Sequence, residues 1–192
     1  MHPMNRRRLT LALASLAAAP ALAAFGGAAA HAQSRPAAAA REISWLDLVP
    51  PDWKPQERID RRRAESLKDD DELAQELMRE LREILDTAPT VDRFDGAAVK
   101  LPGYVVPLER ADGGLTEFLL VPYYGACIHV PPPPANQIVH IKSRQPVKGF
   151  DTMSAVWVSG LFRSERHDSG MGVSGYSMDL QDIQRFVPPG GN

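Results

Sequence analysis

Apolar and polar positions follow three regimes along the chain. Residues 9–25 are almost continuously apolar and rich in Ala and Leu. Between Leu73 and Leu85 the apolar residues Leu73, Leu77, Leu81, Ile84 and Leu85 recur at helical spacing, with Asp70-Asp71-Glu72 ahead of them. Acidic groups there favour the positive end of a helix, so the pattern predicts an amphipathic helix that ends at Thr87-Ala88-Pro89. From Gly96 onward the period shortens to two. Val99 to Leu108, with a kink expected at Pro102-Gly103, and Leu115 to Val121 flank the turn signal Asp112-Gly113-Gly114 and read as a hairpin. Gln137–Lys142, Ala155–Phe162 and Gly175–Leu180 read as three further strands, and Asp182–Phe186 as a final helical turn. The expected class is α+β: a small antiparallel β-barrel of about five strands, of the oligonucleotide/oligosaccharide-binding (OB) type, with the N-terminal amphipathic helix packed on it.

The first apolar block belongs to targeting, not to the fold. Arg6-Arg7-Arg8 precede it and Ala30-His31-Ala32 follows as an A-x-A cleavage site, which marks residues 1–32 as a cleavable signal peptide. Pro20 and Gly26-Gly27 interrupt the block, which argues against a membrane-spanning helix. The paired arginines in Asn5–Leu9 fit twin-arginine export, with Sec export the alternative. The expected location is periplasmic, with no membrane insertion after signal removal. Residues 33–42 read as a flexible linker and 43–187 as a single globular domain. That domain divides into a helical N-terminal segment over 43–90 and a barrel over 96–187, and 188–192 read as a disordered tail. Within the N-terminal segment, Ile43–Val49 reads as an apolar anchor, with Trp45 and Trp53 as packing residues.

Charge narrows the partners. The signal carries three arginines and no acid, so the 22 basic groups fall to 19 against 24 acidic ones, a formal charge of −5. Such a surface lacks the electrostatic footprint of a nucleic-acid binder.

Candidate chemistry concentrates in one stretch. Cys127, the single cysteine, stands two residues before His129, and on an extended segment both side chains point the same way. Thiolate and imidazole are ligands for zinc, and for copper should Met171 or Met153 approach as a weak axial ligand. His140, on the returning strand, is the third candidate ligand. In an oxidising compartment one cysteine cannot close a disulfide within the chain. As an ordinary core thiol, Cys127 would instead be a small buried hydrophobe. A cysteine–histidine nucleophile gives a thiol-dependent enzyme as a weaker alternative. Pro131, Pro132, Pro133 and Pro134 form a stiff run without backbone donors. With Tyr123, Tyr124, Asn136 and Gln137 it could present a rigid lip to an envelope partner.

Three blocks carry a family resemblance: Trp45–Pro50, Leu101–Glu109, and Phe118–Gln137 with its Tyr123-Tyr124-Gly125-Ala126-Cys127-Ile128-His129-Val130-Pro131 core. In them the chain resembles the exported bacterial family catalogued as domain of unknown function 3299. The resemblance brings no established activity. It implies a setting beside export-type ABC transporters and metal-responsive genes, which points toward zinc and toward a transporter subunit or other periplasmic protein as partner.

Overall fold

The structure is a computed structural model describing residues 40–55, 72–126 and 132–186. The expected signal peptide, most of the linker and the C-terminal tail lie outside the described residues, as do Cys127, His129 and Pro131.

Eight strands and one α-helix appear among the described residues. In chain order they are β1 (Arg41–Glu42), α1 (Glu72–Asp86), β2 (Ala98–Ala111), β3 (Gly114–Val121), β4 (Val139–Val147), β5 (Ala155–Arg163), β6 (His167–Asp168), β7 (Val173–Ser174) and β8 (Tyr176–Arg185). Five of them close a barrel in the order β2-β3-β4-β8-β5, with β5 pairing back onto β2. Every pairing in the ring is antiparallel except β4–β8, which is parallel, so the barrel is mixed rather than purely antiparallel.

The long strand β2 makes closure possible by changing partners. Its first half pairs with β5 from Ala98 to Tyr104, and its second half pairs with β3 from Tyr104 to Ala111. Pro102 and Gly103 therefore do not break the strand. The Pro102 carbonyl accepts from Trp45 Nε1 at 2.7 Å, and a strand residue directs its N–H to the same side as its C=O. The donor that proline lacks thus faces the N-terminal anchor and not β5. At Gly103 a Cβ would stand 2.7 Å from Leu120 Cγ and 2.8 Å from the Val121 carbonyl oxygen. Only glycine lets the two strands approach so closely there.

The interior is filled by the inward-facing positions of all five strands: among others Leu101, Val105, Phe118, Leu120, Ile141, Val158, Phe162, Tyr176 and Met178. A second, outer cluster joins Val106, Leu119, Val121, Ala126, Ile138 and Met153. The apolar anchor docks as its sequence suggests, with Ile43 and Leu48 in the main cluster and Trp45 packed against it. Leu46 is the exception, its side chain standing in solvent. Arg41 and Glu42 add a short parallel strand to β2.

Helix α1 ends as expected before Pro89, with Ile84 and Leu85 buried at its C-terminal end. Arg166 binds the Asp86 carbonyl and, at 3.0 Å, that of Ala88. A cation is favourable at the negative end of a helix. Of the segment expected to be a closing helical turn, Asp182–Phe186, all but Phe186 is instead the end of β8. Asp182, Ile183, Gln184 and Arg185 pair with Ser159, Val158, Trp157 and Val156, so ladder bonds offered by β5 outweigh the local preference for a turn.

Candidate functional site

His140 stands where β3, β4 and β8 run side by side. Its strand neighbours Val139 and Ile141 point into the core, so the alternation of a strand turns His140 to the outer face. Leu119 of β3 and Ser177 of β8 flank it in register. It is nevertheless fully buried, because residues from the β6–β7 ribbon lie over it. The His167 ring stacks on the His140 ring with centroids 4.1 Å apart and planes at 10°.

A row of polar groups crosses the strands here. His140 Nε2 lies 2.9 Å from Glu117 Oε2. On the other side, Ser177 Oγ donates to Glu165 Oε2 at 2.9 Å. Ser174 Oγ donates to the His167 carbonyl, and the turn between β6 and β7 is closed by Asp168, whose carboxylate accepts from Gly170 N–H. His140 Nδ1 is buried and has no hydrogen-bond partner among the described residues.

Burial pushes the His140 pKa below the ordinary 6.5, since it penalises the imidazolium. The hydrogen bond to Glu117 pulls the other way, and the neighbouring His167 lowers it further. The ring is therefore neutral at pH 7.

In the sequence Glu117 reads only as a hairpin residue, and His167 as the weaker alternative to His140 for a third ligand. The signal is in the register. Leu119 opposes His140, so Glu117, two residues before Leu119, shares its face and lies diagonal to His140.

Of the remaining candidates, Cys127, His129 and Pro131 lie outside the described residues. Ala126, the residue before Cys127, is buried with Leu119 and Ile138. Met153 holds a positive φ of 63° and takes the Gly125 N–H on its sulfur at 3.1 Å, which fixes the turn leading into Cys127. Tyr123 and Tyr124 are exposed, and Tyr124 meets Tyr104 edge to face at 5.9 Å. Pro133 is buried, with Pro132 and Pro134 half-buried. Asn136 and Gln137 turn their amides inward: Asn136 Nδ2 donates to the Pro89 carbonyl at 3.0 Å, and Gln137 Nε2 to the Trp45 carbonyl at 2.8 Å. Met171 lies exposed in the β6–β7 turn.

Among the described residues no three His, Cys, Asp or Glu side chains are grouped closely enough to hold a metal ion. The stacked pair explains part of this. In-plane nitrogen lone pairs of two parallel rings run in parallel planes and do not converge on one ion. Among the described residues, His140 Nδ1 is the buried nitrogen of the cluster that has no hydrogen-bond partner.

These features define a closed five-stranded mixed barrel with a buried histidine on its outer wall. The chain belongs to the family described as protein of unknown function DUF3299, whose model matches residues 45–185. It is similar to the crystal structure of a DUF3299 family protein from Pseudomonas aeruginosa PAO1, at 35% identity and a TM-score of 0.60. That match covers 78% of this chain and 98% of the other. No curated protein matches the chain.

Proposed function

We propose that this is an exported, periplasmic, metal-associated binding protein, with zinc as its ion and copper as the alternative. It is built on an OB-type barrel flanked by the amphipathic α1, and acts as an accessory to an envelope transporter. The ring order, with the third and fifth barrel strands adjacent and parallel, supports the OB assignment. The observation that carries the metal reading is His140: a fully buried imidazole whose Nδ1 has no partner among the described residues. Buried polar atoms are ordinarily satisfied, and a lone pair in this state is suited to a metal ion. Cys127 and His129, one and three residues beyond buried Ala126 and shortly before the proline run, are the ligands proposed with it. Signal, location and transporter setting rest on the sequence.

The test is the metal content of the protein purified from periplasm without a metal-binding tag, beside Cys127→Ser and His140→Gln. Near-stoichiometric zinc or copper in the wild type and its loss in both variants is the expected result. No metal in the wild type removes the reading.

A second reading, a non-enzymatic adaptor for an envelope protein, is favoured by the solvent-exposed rings of Tyr123 (53%) and Tyr124 (73%), close in sequence to the proline run. Aromatic side chains of this kind are common anchors at interfaces. It expects partner capture that survives Cys127→Ser and fails when Pro132, Pro133 and Pro134 are replaced by alanine.

A further inference from the structure

We infer that Glu117 is a positioning residue that fixes the tautomer of His140 and so makes Nδ1 the ligand atom, an inference that rests on the metal reading above. Glu117 Oε2 stands 2.9 Å from His140 Nε2. A carboxylate only accepts, so the hydrogen of that bond belongs to Nε2. A doubly protonated ring would place a second N–H at Nδ1, where no acceptor is found among the described residues. An unpaired buried donor of that kind is costly. The neutral ring with hydrogen on Nε2 satisfies the Glu117 edge and avoids an unpaired buried donor, and it leaves Nδ1 as a bare lone pair.

Carboxylate to imidazole to metal is the arrangement by which an outer carboxylate orients a ligating histidine and raises its basicity. Glu117 is built for this role. It lies diagonal to His140 across β3 and β4, opposite Lys142, and its side chain is about a third exposed. The negative charge therefore stays partly in water while its effect reaches a ring that is fully buried. The ring is held from a second direction by the stacked His167. A histidine held at its outer nitrogen and on its face keeps one orientation for whatever binds Nδ1. The ligand class is a divalent metal ion of borderline softness, for which neutral imidazole is a preferred donor.

The experiment is two-bond proton–nitrogen correlation of the imidazoles in the ¹⁵N-labelled full chain at pH 7.5, with Zn²⁺ titration by calorimetry. Wild type is compared with E117Q and E117A, and thermal unfolding is followed in parallel. The expected wild-type ring carries its hydrogen on Nε2, and Zn²⁺ shifts the Nδ1 resonance. E117Q keeps an oxygen acceptor, and so keeps the tautomer while zinc affinity falls. E117A loses the tautomer preference and about 10–100-fold in zinc affinity. A wild-type ring protonated on Nδ1, zinc bound through Nε2, or undiminished affinity in E117A overturns the inference. Hydrogen on Nε2 in a wild type that takes up no zinc supports the Glu117 assignment and removes the metal reading instead.

Discussion

The Tyr176 hydroxyl donates to the Leu48 carbonyl at 2.7 Å and accepts the Val91 N–H at the same distance. One phenol from the last barrel strand thus joins the N-terminal anchor to the segment between α1 and β2. Its environment raises the Tyr176 pKa, chiefly through burial, so the hydroxyl stays a donor. Tyr176→Phe keeps the ring and strands two backbone groups. The expected loss is about 1–3 kcal/mol, read as a lower urea midpoint at unchanged slope. Wild-type stability in that variant would show that water replaces both bonds.

Acid should weaken the fold through His140. Its folded pKa lies below the unfolded value near 6.5, because burial disfavours the charged ring. The unfolded chain then binds more protons in that range, so stability is intact above pH 6.5 and is lost as pH falls from there toward the folded value. Urea midpoints at pH 7.5 and pH 5.5 should differ, and the difference should shrink in His140→Gln. Equal pH sensitivity in both proteins would exonerate His140.

Close approach of β5 and β8 depends on Gly160. A Cβ at this position would lie 2.2 Å from the Asp179 carbonyl oxygen, a backbone atom that cannot swing aside. Gly160→Ala should destabilise the barrel by about 3 kcal/mol. The register also slips between Ser159 and Gly160, so the variant should lose amide protection first on β8. A melting temperature within a degree or so of wild type would mean that the bulge absorbs the methyl group.

Arg166 secures the end of α1 through two carbonyls. Arg166→Gln removes the charge and should cost about 1 kcal/mol. Faster hydrogen exchange confined to Ile84 and Leu85 is the expected signature. A uniform acceleration throughout the barrel would assign Arg166 a global role.

Period-two alternation and a glycine-rich turn made β2 to β5 and the start of β8 legible from residues alone. Asp112 and Gly113, both at positive φ, are the residue types such a turn requires. Closure was harder to read. Each parallel partner of a β4 residue lies 37 positions further along the chain, and no local pattern encodes that choice. At Pro102-Gly103 the residues alone predict a kink within one strand, whereas the side to which the missing N–H faces depends on Trp45, 57 positions earlier. His140 was singled out from its strand, but its surroundings were not. The ribbon that carries His167 is only two residues per strand, too short for a periodic signal.

The parallel contact between β4 and β8 also sets an order of events. Until residues 176–185 arrive, β4 and β5 each keep an unpaired edge, and the ring cannot shut. Open edges recruit other strands, so a chain interrupted before Tyr176 should self-associate. Completion of the last strand is what turns an adhesive sheet into a sealed one, and it buries His140's neighbour Ser177 in the same step.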